Sequence, residues 1–306
     1  MSGVDPALEE FRLEVGESGP VAARGAGTRF DLGGPLTTGT RLVSAPAGII
    51  DHAPEEMTVR VRAGTTVAEL HAELATASQR TALPERGGTV GGALAVGEND
   101  VAVLGRGRVR DAALQLRYVS AQGTLITGGG PTVKNVSGFD LPRLFVGSLG
   151  TLGLLGEAIL RTNPIPAVSR WFRSSDADPF AVTDAVLRPA AILWDGCVTV
   201  VQLEGHAADV EASLAALAAL GGWSETDGPP VLPPHRWSLR PSELRGLDGG
   251  ALGSFVASVG VGTLFASVPQ PEVTPSPQLE ALTEAMRVQF DPTGRLSPGR
   301  SIWSQG

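Results

Sequence analysis

Three stretches of this chain combine glycine with hydroxyl and charged residues at spacings suited to holding an anion. The first, VAARGAGTRFDLGG at 21–34, puts Arg24, Gly25, Ala26, Gly27 and Thr28 in one turn, with Gly33 a few residues on. The second, PERGGTVGGALA at 84–95, opens with Pro84 and continues through Gly88, Thr89, Val90, Gly91 and Gly92. The third, at 128–156, carries Lys134, Gly138, Asp140 and Arg143, then glycine at 147, 150, 153 and 156. Glycine inside a folded segment lowers stability unless the backbone needs positive φ or passes close to something. Glycine-rich turns let backbone N–H groups converge on an anion, most often a pyrophosphate. Taken singly, the first loop is also an ordinary strand turn and the second an unliganded helix start, because a lone glycine motif is weak.

Other chemistries find little support. Lys134 follows Val133, so the third stretch is not a nucleotide P-loop, and no GxGxxG follows a strand. A GxSxG serine elbow and an HExxH zinc motif are both missing, and His52, His71, His206 and His235 are scattered. GRGRVRD at 105–111 holds Arg106, Gly107, Arg110 and Asp111, and reads equally as a solvated face with a turn or cap aspartate. His235, Trp237 and Arg240 cluster only in PPHRWSLR at 233–240. His235 and Arg240 are the weak catalytic candidates, in a segment that also reads as a proline-rich surface loop.

These loops need a scaffold. Residues 5–15 predict a short amphipathic helix, 19–27 a strand running into a glycine turn, and MTVRV at 57–61 an alternating strand. Val67, Leu70 and Leu74 share one face of a helix over 66–79, capped by Thr65 or Thr66. A helix follows the second glycine loop. Residues 112–119 and 124–126 flank Ala121, Gln122 and Gly123 as a hairpin, and 147–160 reads as a turn and a strand. Pro164 and Pro166 mark a boundary. Beyond it come a helix at 180–187, a strand-like run at 192–203, a helix at 207–220, two strands within 253–268 and a helix at 277–290. The tail, FDPTGRLSPGR at 290–300, is turn chemistry. The expected fold class is α+β; a two-subdomain domain over 1–165, a small α+β cap over 166–285 and a tail over 286–306 that returns to the first domain are what the family resemblance given below implies.

Composition narrows the function. The chain has 306 residues, 42% hydrophobic, and a net charge of −8, against the basic face of a nucleic-acid protein. Cys197 is the only cysteine, so this chain forms no internal disulfide and by itself ligates no iron–sulfur cluster. The acidic N-terminal segment lacks the apolar run of a signal peptide. The longest uncharged stretch, 249–270, is rich in Gly and Ser and suits strands better than a membrane span. A cytoplasmic protein without a transmembrane segment is expected, peripheral to the inner membrane at most through a complex.

The block KNVSGFDLPRLFVGSLGTLG at 134–153 resembles the K-x-x-x-G-[YF]-D-L-x-R-L-x-x-G-S-x-G-x-L-G signature of the vanillyl-alcohol-oxidase (PCMH-type) family of FAD-binding oxidoreductases. Lys134, Gly138, Phe139, Asp140, Gly147, Ser148, Gly150, Leu152 and Gly153 match in order. RGAGT at 24–28 resembles the family's flavin loop, and 84–95 its P-x-x-x-x-T-[VI]-G-G-x-x-A segment. Within the family the chain is most similar to the smaller flavin subunits of bacterial glycolate oxidases, which commonly share its lack of Glu at position 149. The resemblance implies a PCMH-type FAD-binding domain and non-covalent FAD, since Arg29 follows Thr28 where relatives that attach flavin covalently use His or Cys in these loops. It also implies cofactor contacts from the residues named in the three stretches. Ile159 falls where backbone groups read the adenine, and Gly91 and Gly92 lie against the phosphates or ribityl chain. Ser297 stands where Asn is usual. The implied function is an FAD-dependent oxidoreductase, as the FAD-binding subunit of a glycolate-oxidase-like complex acting on a 2-hydroxy acid with a larger flavin subunit and an iron–sulfur subunit. The alternative is a non-catalytic flavin-carrying or assembly subunit. No metal site is expected.

Overall fold

The computed structural model describes residues 5–131, 140–247, 249–271 and 274–304. Backbone contacts divide the chain into two compact units, one of 1–100, 108–164 and 272–306, the other of 101–107 and 165–271.

The first unit is built on β1 (Val21–Ala23) and β2 (Arg41–Val43), a parallel pair, beside a five-stranded antiparallel sheet. That sheet comprises β3 (Ile49–Ala53), β4 (Thr58–Arg62), β6 (Ala113–Val119), β7 (Leu125–Gly129) and β8 (Leu154–Arg161), in the order β3-β4-β8-β6-β7. Two-residue strands β5 (Gln79–Arg80) and β9 (Asn163–Pro164) pair separately. Strand β8 is central and buried along almost its whole length. Its Glu157 is fully buried and pairs with Arg60 at 2.7 Å and Arg117 at 3.8 Å, as a charge removed from water must. The helix Val67–Thr76 starts at a capping box between Thr66 and Glu69 and buries Val67, Leu70 and Leu74 against this sheet's core. The helix Val90–Val96 adds Val90 and Leu94. The helix Pro277–Phe290 belongs to this unit and sets Phe290 edge-on to Phe145, ring centroids 5.7 Å apart.

The tail closes the first unit. Leu296 bridges Val21 in parallel, with Val21 N–H donating to the Arg295 carbonyl at 2.9 Å and Ser297 N–H to the Val21 carbonyl at 2.8 Å. Arg295 is buried and donates to the carbonyls of Val15, Gly16, Ser18, Gly19 and Ala121. Five carbonyl partners compensate the desolvated guanidinium. They also fix the tail beside the strand that feeds the first glycine loop.

The second unit holds a seven-stranded antiparallel sheet of β10 (Val168–Ser174), β11 (Ala191–Trp194), β12 (Thr199–Gly205), β13 (Ser224–Thr226), β14 (His235–Ser238), β15 (Phe255–Ser258) and β16 (Thr263–Ala266). The order is β13-β10-β12-β11-β15-β16-β14. Helices Pro179–Ala185 and Ala207–Leu217 bury Val182, Val210 and Leu217 with Ile192, Val201 and Leu203. The strand-like run expected over 192–203 is two strands. Asp195 Oδ1 accepts from Cys197 N–H at 2.9 Å and Val198 N–H at 2.7 Å, and Gly196 has φ +97°, so an Asp-Gly turn reverses the chain. Residues 235–238, within the proline-rich segment, form β14 against β16. Among the described residues no helix is long and apolar enough to cross a membrane, and 249–270 contains β15 and β16, as Phe255, Val259, Val261 and Leu264 predict.

Candidate functional site

The first and second glycine loops come together in the first unit. Gly25 lies so close to Thr89 that a Cβ on it would stand 2.3 Å from Thr89 Oγ1, and a Cβ on Gly88 would stand 2.9 Å from Thr28 Oγ1. Two adjoining concavities of about 100 and about 210 Å³ open where the loops meet, sharing Gly25, Thr89, Gly92, Leu149 and Ser297 in their walls.

The donors in this hollow are backbone N–H groups. Among the described residues, none of the N–H groups of residues 25–29 donates to a protein acceptor, and neither do those of 87–89. Two short runs of backbone donors without a protein acceptor are the kind of feature that can hold an anion. The start of the neighbouring helix is different. Val90 N–H donates to the Thr65 carbonyl at 2.8 Å, Gly91 N–H to Ala63 at 2.7 Å and Gly92 N–H to Thr89 Oγ1 at 3.2 Å. The free donors thus come from the loops before the helix. Gly91 is small for a packing reason too, since a Cβ there would stand 2.8 Å from Ala63 Cβ.

Charge around the hollow is positive. Arg24 lies over the Phe30 ring at 5.1 Å and Arg300 over the same ring at 4.9 Å. Arg300 also donates to the carbonyls of Phe30, Leu32 and Gly34, which shapes the turn after Thr28. Burial pulls the Arg300 guanidinium pKa down, and the Asp31 charge opposes that. Glu98, 7% exposed, pairs with both Arg29 and Arg86.

Of the residues singled out by sequence, Arg24, Gly25, Ala26, Gly27, Thr28, Gly88, Thr89, Gly91, Gly92 and Gly150 line the two concavities. Gly33 lies beside them, where a Cβ would stand 2.4 Å from Leu149 Cδ1. Pro84, Val90 and Ile159 are buried outside that lining, Val90 in the core and Ile159 on β8. Asp140 caps the short helix Leu141–Phe145 by accepting from Arg143 N–H at 3.3 Å. Lys134 and Gly138 lie outside the described residues. His235 and Arg240 belong to the second unit, His235 opposite Ala266 on β14 and Arg240 at the start of a 3₁₀ turn. Sequence reasoning missed Phe30 and Glu98. Phe30 could have been suspected from its place beside the first loop, whereas Glu98 belongs to no motif and is read only from the fold.

The glycines spaced by three divide into two kinds. Gly147 and Gly150 have φ +88° and +75°. A Cβ on Gly153 would stand 2.5 Å from Tyr118 Cδ2, and one on Gly156 2.8 Å from Leu8 Cδ2.

Comparison with known proteins agrees with this geometry. Residues 12–129 match the FAD binding domain family. The chain is 34% identical over 170 residues to the glycolate oxidase subunit GlcE of Escherichia coli, an alignment covering 54% of this chain and 49% of that protein. It is 34% identical over 126 residues to the glycolate oxidase subunit GlcD of Bacillus subtilis, covering 39% and 27% of the two chains. It is 33% identical over 163 residues to a D-lactate dehydrogenase of Archaeoglobus fulgidus, covering 52% and 36%. The chain therefore spans about half, or less, of the length of these curated relatives. The fold is similar to that of alkyldihydroxyacetonephosphate synthase, with TM-score 0.68 at 14% identity over 95% of this chain and 73% of that one.

The residues present fit FAD. A dinucleotide needs a diphosphate cradle that side chains do not fill, and Gly27 and Gly88, at φ +77° and +88°, keep the cradle open.

Proposed function

We propose that this chain, whose residues 12–129 match the FAD binding domain family, is the FAD-binding subunit of a multi-subunit oxidoreductase acting on a small 2-hydroxy acid. The observation that carries the reading is the pair of unused N–H rows at 25–29 and 87–89 in one hollow. These rows would bind the diphosphate, with the Arg24 guanidinium beside them adding positive charge. Thr28 and Thr89 add hydroxyls at the rim, and Gly150, whose φ is +75°, brings its backbone to the far wall. FAD bound there supplies a two-electron acceptor for hydride from a carbon that bears a hydroxyl. In this reading the first unit holds the cofactor. The relatives' names support the assembly and the substrate class. Two are subunits of a glycolate oxidase and a third is a D-lactate dehydrogenase. The partners proposed are a larger flavin subunit and an iron–sulfur subunit.

The lone chain is a weak catalyst in this reading. His235 and Arg240 are the only candidates for substrate chemistry that sequence offers, and both are on the second unit. A positioned base is worth roughly 10²–10⁴-fold in rate. The test is in two steps. Acid precipitation of the purified chain is expected to release FAD into a yellow supernatant. Colour retained on the polypeptide would overturn non-covalent binding, and a colourless chain that takes up no FAD would overturn the reading. Anaerobic mixing with glycolate or D-lactate is then expected to bleach the flavin slowly. Fast bleaching by the lone chain would show a self-sufficient enzyme.

A further inference from the structure

The bridge Arg29–Glu98–Arg86 is not used in the reading above, yet its Arg29 lines the same hollow. Glu98 is nearly buried and gives one carboxylate oxygen to each arginine, Oε2 to Arg29 Nε and Oε1 to Arg86 Nη1. Arg29 is the last residue of the first donor row. Arg86 directly precedes the second row at 87–89. One side chain therefore ties the end of one row to the start of the other.

We propose that Glu98 is a positioning residue for the dinucleotide, setting the gap between the two rows of N–H donors so that both reach one diphosphate. The proposal rests on the FAD reading above. Stability alone is a poor reason for the bridge, since buried ion triads are often replaceable by apolar residues without loss of stability. Geometry is a better one. A planar guanidinium on each oxygen fixes direction as well as distance.

The experiment compares the full chain with Glu98→Gln and with the triple variant Arg29→Met/Glu98→Met/Arg86→Met. FAD affinity is measured by quenching of flavin fluorescence. The ³¹P resonances of the bound diphosphate and the unfolding midpoint of the flavin-free chain are recorded for each. Both variants are expected to bind FAD roughly tenfold to a hundredfold more weakly, the scale of lost charge-assisted hydrogen bonds. The diphosphate resonances are expected to shift, and the triple variant to keep its flavin-free midpoint. Wild-type affinity in either folded variant would overturn the proposal. So would failure of both to fold, which would make the bridge a stability element. If the unaltered chain binds no FAD, the reading beneath the proposal fails instead.

Discussion

Gly25→Ala is the sharpest probe of how the two loops meet. The added Cβ would stand 2.3 Å from Thr89 Oγ1, 3.0 Å from Cγ2 and 3.2 Å from Cβ. Thr89 has little room to turn away. It is 8% exposed, and its Oγ1 caps the helix Val90–Val96 by accepting from Gly92 N–H at 3.2 Å. Gly25→Ala should cost about 1–3 kcal/mol, the range for overpacking a closed contact. Thr89→Ala removes two of the three colliding atoms but also the cap, at about 1 kcal/mol. The double variant should then cost less than the sum of the singles by about 1 kcal/mol or more. The assay is urea unfolding of all four flavin-free chains, with hydrogen–deuterium exchange across 89–96 to place the effect. Additivity of the two substitutions within about 0.5 kcal/mol would show that the loops do not touch, and the hollow would lose its wall.

Two further predictions separate cofactor binding from folding. Gly27 has φ +77°, and a Cβ there would meet nothing closer than Arg24 Nη2 at 3.5 Å. Gly27→Val should therefore strain the loop by about 1–2 kcal/mol or somewhat more for a branched side chain, leave the second unit folded and abolish FAD uptake. Retained flavin content would show that this loop is not the cradle. Burial pushes the Asp5 carboxyl up, but two Arg62 nitrogens and the Ala7 N–H outweigh it and leave the pKa lowered. A depressed carboxyl stabilises above its unfolded pKa of about 3.9 and loses that contribution as pH falls through the folded value. Asp5→Asn should cost on the order of 1 kcal/mol near neutral pH, with the gap to wild type closing as pH falls through the lowered folded pKa. A gap independent of pH in thermal melts would rule out the ion pair as its source.

Local chemistry made much of this structure legible. The helix Pro277–Phe290 and the helix Val67–Thr76 follow from periodicity and caps, and Asp195-Gly196 would have split 192–203 had the turn pair been weighed above the valines. The glycine loops were legible because a motif fixes both residue type and order. Long-range pairing was not. β14 sits in a proline-rich stretch that gains strand structure only by pairing with β16, an instance of tertiary context deciding a segment of weak local preference. Glu98 gives no local signal, because its partners lie 69 and 12 residues away.

The two departures from the family signature meet in the site. Leu149, where many relatives carry Glu, and Ser297, where Asn is usual, both have positive φ, +54° and +45°. Both line the hollow. Neither is a residue that adopts this conformation cheaply, and such backbone costs of about 1–3 kcal/mol persist only where surroundings over-determine them. Here the surroundings are specific. Leu149 N–H donates to the Ala95 carbonyl at 2.9 Å, and its side chain occupies the space that a Cβ on Gly33 would enter. Ser297 N–H is held by Val21, and Arg300 N–H donates back to the Ser297 carbonyl at 3.1 Å. A Cβ on Gly150 would stand 2.9 Å from Ser297 Oγ. The glycines and the strained residues therefore form matched pairs, Gly33 with Leu149 and Gly150 with Ser297. In each pair the absent side chain of the glycine leaves room for the side chain of the strained partner. The tail anchored by Arg295 is what brings Ser297 to that position, so the turn chemistry of the tail shapes the wall of the hollow along with the glycine loops.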